Sequence, residues 1–576
     1  MLCLASRQSL LILAFGAHAF VAALIPQLVQ WSSKSYGPDG PWQAVTITIG
    51  TPSQTIDLLP GGSWMTNVVA PSVCANRGAC SVAQAAGFYD PDSSSTAFSI
   101  GQTGFVNNSA MSSTTGAIPT LTGSAYWWFD TMTIQTTDGV GGDENRRSIL
   151  NFDLLVITAA NEILPDGTTY PAQIGKLALG ASNFNQTWLH FPPSPNWNGT
   201  ILPSSLFAAG ITPSISYGMH IGSATLGIPG SLNIGGYDQS RALQPVSGQP
   251  YTIDHLPIDL LDIGIGVAEG GSPFNFSSQT GLLGASNSSI GVSVPVLVEA
   301  TVPYLYLPQS TCDAITKHLP VTYEADYGLY FWNTADPNYK VIVSSPAFLS
   351  FTFRANGSTS QNMTINVPFS LLDLTLSTPI RKTPTQYLPL RPSLGPSGSY
   401  ALGRAFLQAA FVGVNWQTAT GVGSGVWFLA QAPGPNTPSD NPPTSINPTD
   451  NSIVGSTSSW KDTWKGAWTV LNSTNPPEDG SNQSKKTGGL SHGAIAGIVV
   501  GAIAGLSLCG LAAWCLHQRR THSPKPSSDE TREGWRESAF AGSGVPSSKQ
   551  SYPSSGFAPR ELDTGQVSPR PVEMAA

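Results

Sequence analysis

The sequence predicts an all-β folded region, followed by an extended stalk, one membrane-spanning helix and a disordered tail. Short apolar runs recur between residues 31 and 432, and Gly, Pro, Asn and Ser separate them, as in a turn-rich β protein. The chain contains 59 Gly and 47 Pro, and only 10% of its residues are charged, against about a quarter in average proteins. Residues 493–516 form an uncharged apolar stretch that is long enough to cross a bilayer.

The strand predictions fall on apolar runs rich in β-branched and aromatic residues. These runs are residues 44–49, 132–136, 154–158, 292–298, 339–343 and 349–353. Long helical patterns are scarce, and residues 309–318 are one short helical candidate. The 576 residues, 40% of them hydrophobic, allow several domains and a large core.

Both ends of the chain carry targeting signals. Arg7 precedes an apolar run at 9–15 and an Ala-rich segment at 17–23, which is typical of a cleaved secretory signal over residues 1–23. Arg519 and Arg520 directly follow the apolar stretch 493–516 and indicate that its C-terminal side is cytoplasmic. We therefore expect a single-pass type I membrane protein of the cell surface or secretory pathway, with its N-terminus outside.

The N-glycosylation triplets support this orientation, because all of them precede the predicted span. They begin at Asn107, Asn185, Asn198, Asn275, Asn287, Asn356, Asn362, Asn472 and Asn482.

The cysteines outside the leader and the span are Cys74, Cys80 and Cys312. An oxidising compartment favours a disulfide between Cys74 and Cys80, which are close in sequence. Cys312 is then left as a buried free thiol.

Residues 433–492 are rich in Pro, Ser, Thr and Asn and predict an extended stalk. Within them, Trp460, Trp464 and Trp468 recur at helical spacing. A short helix there would lie on the membrane surface, dock on the folded region or form a local structure in the stalk. Residues 517–576 are rich in Ser, Pro and charge and predict a disordered cytoplasmic tail.

The predicted span carries one glycine on every turn of one helix face, which suits self-association of two spans. These glycines are Gly493, Gly497, Gly501 and Gly505.

Several function classes find no support in the sequence. The net charge is −8 and no large basic patch stands out, so nucleic acid is not an expected partner. The eight histidines show no metal-ligand spacing. No phosphate-cradling loop or local Ser-His-Asp motif is present, and we expect no metal and no cofactor.

Two segments carry a resemblance to a known family. Residues 45–54 read Val-Thr-Ile-Thr-Ile-Gly-Thr-Pro-Ser-Gln, and residues 55–63 continue as Thr-Ile-Asp-Leu-Leu-Pro-Gly-Gly-Ser. Residues 294–308 read Val-Pro-Val-Leu-Val-Glu-Ala-Thr-Val-Pro-Tyr-Leu-Tyr-Leu-Pro. They resemble the strand–turn segments that lead into the two catalytic aspartates of pepsin-like aspartic proteases.

Three further segments are similar to the family in sequence and order. They are residues 201–207, the glycine-rich 230–241 and residues 400–414, which begin Tyr-Ala-Leu-Gly-Arg-Ala-Phe-Leu. The resemblance covers about 400 residues and is closest to a fungal, membrane-anchored branch. It implies a bilobal fold, with an N-lobe at 31–240, a C-lobe at 241–432 and the small disulfide Cys74–Cys80.

The family's reaction needs one Asp from each lobe, and this sequence lacks both. The matching positions are Gly61 and Glu299. Two facing carboxylates share one proton and so divide the acid and base roles, which a single glutamate cannot do. Asp57 lies four residues before Gly61, on the incoming strand, and is not expected to substitute.

The resemblance also suggests cleft residues, namely Gly62, Ser63 and Thr301 beside the two positions and Tyr126 as a candidate flap residue. Tyr126 lies in a run of aromatic residues, which are more often core.

Three functional readings follow. The first is a non-catalytic, aspartic-protease-like surface glycoprotein that binds a peptide, glycan or protein in its cleft. The second is a membrane-anchored endopeptidase with an atypical dyad that uses Glu299, and it requires a second carboxylate within reach. The third is a structural surface or wall glycoprotein whose cleft is filled. Binding predicts instead an open, partly apolar cleft with a few polar groups.

Overall fold

Strands dominate the described part of the chain, with 45% strand against 13% helix, so the mostly β prediction is confirmed. The structure is a computed structural model. It describes residues 24–472 except 63–64, 76–79, 108–119, 138–143, 181–184, 189–196, 253–254, 286, 358–360, 394–399, 419–423 and 438–441.

The predicted signal peptide 1–23, the stalk end 473–492, the stretch 493–516 with its glycine face and the tail 517–576 lie outside the described residues. Within the described part, no helix has the length and apolarity that a membrane crossing needs.

The first sixteen strands occupy residues up to 252. They are β1 Gln27–Val29, β2 Trp31–Tyr36, β3 Trp42–Ile49, β4 Gln54–Pro60, β5 Thr66–Val69, β6 Phe98–Asn107, β7 Thr120–Thr137, β8 Glu144–Ile163, β9 Thr169–Pro171, β10 Gly175–Leu177, β11 Asn185–Trp188, β12 Trp197–Thr200, β13 Ser216–His220, β14 Ser231–Ile234, β15 Gly236–Tyr237 and β16 Leu243–Thr252.

The remaining strands follow residue 256. They are β17 Pro257–Val267, β18 Ser278–Gln279, β19 Val294–Val298, β20 Leu305–Leu307, β21 Val321–Glu324, β22 Leu329–Trp332, β23 Ala347–Arg354, β24 Asn362–Pro368, β25 Leu374–Leu376, β26 Thr385–Leu388, β27 Leu390–Pro392, β28 Tyr400–Leu402, β29 Ala410–Asn415, β30 Ser424–Gln431 and β31 Thr444–Ser445.

The helices are short. The α-helices are α1 Ser81–Ala86, α2 Leu202–Ala208, α3 Gln309–Thr316, α4 Pro337–Ser344, α5 Arg404–Leu407 and α6 Trp460–Thr463. Single 3-10 turns occupy Pro71–Cys74, Pro91–Ser93, Gln239–Arg241 and Phe369–Leu371.

Most of the strands join two large sheets. Of the described strands, β1–β14, β16, β29 and β30 form one sheet. A second sheet contains β17–β20, β23, β24, β27 and β28, and β21, β22, β25 and β26 form a third. Strand β23 shows how the core is built, because its residues alternate between buried and partly exposed positions along its length, as the pleat of a half-buried strand requires.

Five antiparallel strands form a segment of the first sheet that joins early and late parts of the chain. We call it the central sheet, and its order is β14, β13, β29, β30 and β16. It lies beneath the candidate site, because Tyr217 and Met219 of β13 and Val412 of β29 line a pocket there.

The strand predicted at 339–343 is wrong, because these residues belong to helix α4. Asp336 caps the helix by accepting a 2.8 Å hydrogen bond from the Asn338 N–H, and Pro337 occupies the first turn. Both features favour a helix start. The short apolar run alone did not distinguish the two structures.

The stalk predicted at 433–492 is wrong over 433–437 and 442–472, which pack on the folded body. Ile446 is fully buried, Trp464 is 2% exposed and β31 pairs with β15. The Trp468 indole N–H donates a 2.8 Å hydrogen bond to Glu269, and Lys461 forms a 3.2 Å ion pair with the same carboxylate. The tryptophan stripe therefore docks on the body, although its helix α6 ends at Thr463.

The cysteine prediction is confirmed. Cys74 and Cys80 are joined by a disulfide, and Cys312 is a buried free thiol.

Candidate functional site

Two matching strand arrangements carry the positions that the sequence analysis singled out. In the first, β4 runs parallel to β10, β10 antiparallel to β5, and β5 parallel to β8. In the second, β19 runs parallel to β28, β28 antiparallel to β20, and β20 parallel to β27. The same three pairings therefore occur twice, in the same sequence order.

The chain leaves the first strand of each arrangement at an equivalent point. The Gly61 N–H donates a 3.0 Å hydrogen bond to the Leu177 carbonyl, and the Glu299 N–H donates a 3.1 Å hydrogen bond to the Leu402 carbonyl. Leu177 and Leu402 end β10 and β28, so Gly61 and Glu299 occupy corresponding positions. We call residues 61–62 the first turn and residues 299–301 the second turn.

The two turns pack directly against each other. Gly61 has φ +132°, and a Cβ atom added there would overlap the Cβ atom of Ala300. Gly62 has φ +94°, and a Cβ atom there would lie 2.8 Å from the Thr301 Cγ2 atom. The first turn thus has neither the backbone conformation nor the space for a side chain, so a carboxylate at position 61 is sterically excluded.

Glu299 is held within its own turn. Its Oε1 atom accepts a 2.9 Å hydrogen bond from the Thr301 N–H, and the side chain is partly buried. Among the described residues, no second carboxylate makes a hydrogen bond to Glu299. Burial and, secondarily, the Glu299 charge raise the pKa of Tyr217 on the central sheet.

Asp57, on strand β4, is engaged by hydrogen bonds from the two neighbouring strands. Its Oδ2 atom accepts hydrogen bonds from Ser32, at 2.6 Å, and from the Tyr36 hydroxyl. Its Oδ1 atom accepts a 2.6 Å hydrogen bond from Thr46. These three bonds tie β4 to β2 and β3, as expected for a residue that does not replace the missing acid.

Two pockets adjoin the second turn. The smaller pocket lies between both turns and the central sheet and is lined by Gly62 and Glu299 among others. The larger pocket is lined by Thr301 and the residues discussed below. Tyr126 lines neither pocket; it lies on β7 with 40% of its surface exposed. Ser63 lies outside the described residues.

Arg404 braces the wall between the second turn and the larger pocket. Its Nη1 atom donates 3.2 Å hydrogen bonds to the Ala300 and Thr301 carbonyls. Its Nη2 atom lies 3.8 Å from Asp39, and its guanidinium stacks 5.0 Å from the centre of the Trp42 ring. The arginine therefore links the second turn to the hairpin between β2 and β3.

The same hairpin is anchored to the third sheet. The Ser377 N–H donates a 2.8 Å hydrogen bond to the Pro38 carbonyl, and the Thr375 N–H donates a 3.2 Å bond to the Gly40 carbonyl. The hairpin between β8 and β9 also reaches across, because the Asp166 N–H donates a 3.3 Å bond to the Asp326 carbonyl. These contacts fix the walls of the larger pocket.

Two charged side chains face the larger pocket from separate strands, Glu162 from β8 and Lys176 from β10. Burial raises the pKa of Glu162 to about 7, while Lys176 opposes the shift and Asp39 adds to it. Burial also lowers the pKa of Lys176, and Glu162 opposes that shift. Both side chains are partly exposed to the pocket.

Sequence reasoning missed Asp39, Glu162, Lys176 and Arg404. The available signal was a charge inside an apolar run, since Lys176 lies between Ile174 and Leu177. Within the described part of the chain, no group of three or more His, Cys, Asp or Glu side chains is placed to hold a metal ion.

The predicted glycosylation sites differ in their surroundings. Asn198, Asn275, Asn362 and Asn472 are exposed. The Asn287 side-chain amide donates a 3.0 Å hydrogen bond to Ser310, and the Asn356 side-chain oxygen accepts a 2.9 Å bond from the Gly248 N–H. Asn482 and the side chains of Asn107 and Asn185 lie outside the described residues.

Comparisons with protein-family models and with curated proteins find no match to this chain.

Proposed function

We propose that this chain is a non-catalytic, pepsin-like surface glycoprotein that binds a peptide, glycan or protein ligand in the cleft beside its two turns. The observation that carries the proposal is the pairing of a glycine with a glutamate at the two equivalent positions, next to a pocket with charged walls. This arrangement keeps a cleft and lacks a catalytic pair.

The absence of a facing acid argues against hydrolysis. One carboxylate must take a proton from water while the other gives one to the carbonyl, and two close carboxylates acquire these roles by splitting their pKa values. Gly61 supplies no acid, and the Cβ atom of Ala300 fills the place that a side chain there would need. Glu299 is left with a hydrogen bond to its own turn.

The bilobal, pepsin-like architecture is itself part of the proposal. The repeated parallel and antiparallel pairings around Gly61 and Glu299 support it, as does the order of the resembling segments along the chain. The secretory signal, the single span, the cytoplasmic tail and self-association through the span glycines rest on the sequence patterns alone.

The mixed lining of the larger pocket favours a binding role over a purely structural one. The larger pocket combines apolar side chains such as Leu59 and Val302 with charged groups, as ligand sites commonly do.

The test is ligand screening of the purified full-length chain on peptide and glycan arrays, beside two tryptophan variants. Ile174 lines the larger pocket, so Ile174→Trp fills it. Val292 is 88% exposed, so Val292→Trp is the matched control. We expect a ligand that binds the wild type and Val292→Trp and is lost in Ile174→Trp. Equal binding by all three proteins, or no ligand on either array, would overturn the proposal.

A further inference from the structure

Lys176 places a positive charge in the wall of the larger pocket, which also contains apolar side chains such as Leu59 and Ile174. In the parallel pairing of β10 with β4 it lies opposite Leu59, and both residues line the larger pocket. Its side chain makes no hydrogen bond or ion pair with a described residue. A partly buried ammonium group without a protein partner is free to bind a negatively charged ligand group, and such charge-assisted hydrogen bonds are stronger than neutral ones.

The other charges of the pocket are already engaged, with one exception. Asp39 accepts a 3.0 Å hydrogen bond from the Trp42 indole and faces Arg404 at 3.8 Å. Arg404 is further engaged by two backbone carbonyls. Glu162 is the exception, because it lines the same pocket and forms no ion pair with Lys176.

We infer that the larger pocket binds a peptide carboxylate through the ammonium group of Lys176. The inference rests on the proposed binding function and names the ligand chemistry of that site. Leu59, Ile174 and Val302 would pack against the aliphatic part of the ligand beside the carboxylate. Charge-assisted hydrogen bonds of this kind are about twice as strong as neutral ones. The carboxylate belongs either to the peptide's C-terminus or to an acidic side chain.

The pocket's charge makes this binding depend on pH. The charged groups that face Glu162 are Lys176 from β10, Asp39 from the β2–β3 hairpin and Arg404 from α5. The titratable tyrosines near it are Tyr170, Tyr304 and Tyr306. Below the Glu162 pKa of about 7, the Glu162 carboxyl is neutral and does not compete for Lys176. Above it, the carboxylate competes for Lys176 and repels the ligand. Affinity for a carboxylate therefore falls as the pH rises through neutrality.

Three pools of acetylated, dye-labelled tetrapeptides test the inference by fluorescence anisotropy at pH 5.5 and 8.0. The first pool has neutral side chains and a free C-terminal carboxylate. The second is amidated and carries one glutamate, and the third is amidated with glutamine in its place. We expect the first or the second pool to bind about tenfold more tightly than the third at pH 5.5, which corresponds to one charged hydrogen bond.

The pattern across the pools identifies the source. Preference for the first pool alone assigns a chain terminus, and preference for the second alone assigns an acidic side chain. Equal binding of all three pools would overturn the inference, and loss of that binding in Ile174→Trp would then leave the proposed function standing. Binding by none of the pools would also overturn the inference. The proposed function would then be tested separately by the array experiment.

Substitutions assign the effect to the two residues. Lys176→Met should abolish the roughly tenfold preference, whereas Lys340→Met, at an exposed position of α4, should leave it unchanged. Glu162→Gln should keep the preference and extend it to pH 8.0. The comparison of pools on the wild type needs no variant, so it decides the inference even if Lys176→Met does not fold. A preference that survives in folded Lys176→Met would contradict the assignment.

Discussion

The first and second turns share a backbone arrangement and differ in almost every side-chain property. Each turn follows a strand, β4 or β19, that pairs in parallel with a later strand, β10 or β28. The first N–H of each turn donates a hydrogen bond to the last carbonyl of that later strand. The first turn consists of two glycines with positive φ, whereas the second carries Glu299 and is braced by Arg404. The backbone framework therefore persists without a pair of acids.

The difference also has a steric cause. The second turn occupies the space beside Gly61 with the methyl group of Ala300, so the first turn tolerates only glycine. The first turn presents only backbone to its neighbour, and the second carries a polar side chain and is supported by Arg404. Substitutions at Gly61, Arg404 and Glu299 probe this asymmetry, and one at Glu162 probes the adjoining pocket.

Gly61→Ala should have the largest effect, because it combines a left-handed backbone with an overlap onto Ala300. We expect a loss of about 4 kcal/mol in the free energy of unfolding, measured by chemical denaturation. Gly281→Ala is the matched control, since Gly281 has φ +77° and open space around it. Its cost should be about 1 kcal/mol.

Ala300→Gly in the Gly61→Ala background should recover part of the loss, because it removes the overlapping methyl group. If Gly61→Ala costs no more than Gly281→Ala, the two turns do not pack as described.

Arg404→Met should destabilise the second turn by about 3 kcal/mol, because it leaves Asp39 without its buried cation and two carbonyls without a donor. Arg354→Met is the control. Its ion pair with Asp259 is exposed and contributes at most about 1 kcal/mol. Equal losses of stability in the two variants would show that Arg404 stabilises the fold no more than an exposed ion pair does.

Glu299→Ala should cost about 1 kcal/mol, because the Thr301 N–H loses its acceptor. Glu299→Gln keeps an oxygen at that place and should cost less than about 0.5 kcal/mol. Thermal denaturation of both variants measures the difference. A large loss in Glu299→Gln would mean that the negative charge itself holds the turn.

Glu162→Gln should have an effect that depends on pH and appears only at high pH. The folded-state pKa of Glu162 is raised from 4.5 to about 7, so the folded chain binds this proton more tightly than the unfolded chain. The resulting stability is present below pH 4.5 and is lost as the pH rises to about 7.

The melting temperature of Glu162→Gln, relative to that of the wild type, should therefore increase as the pH rises from 4.5 to 8. A constant difference across this range would contradict the environment assigned to Glu162.

The sequence predicted the strands best where β-branched and aromatic residues recur in short runs, as in β3 and β23. The family resemblance implied the correspondence of Gly61 and Glu299, and the two residues do occupy equivalent positions after β4 and β19. The strand prediction was wrong at 339–343, where the N-cap Asp336 favours a helix. The stalk prediction was wrong at 442–472, because it rested on the polar composition of a segment in which Ile446 and Trp464 are buried.

Local sequence patterns could not predict the larger pocket. Asp39, Glu162, Lys176 and Arg404 lie on four elements that are distant in sequence, and only the packing of the sheets brings them to one cavity. Likewise, the contact of Trp468 and Lys461 with Glu269 depends on a fold that composition does not reveal.

The most direct test of the central claim is hydrolysis of a peptide library by the purified full-length chain from pH 3 to 7, with pepstatin and Glu299→Ala as controls. The account predicts no cleavage that depends on Glu299. Cleavage that is blocked by pepstatin and lost in Glu299→Ala would contradict it and would require a second acid beside the first turn.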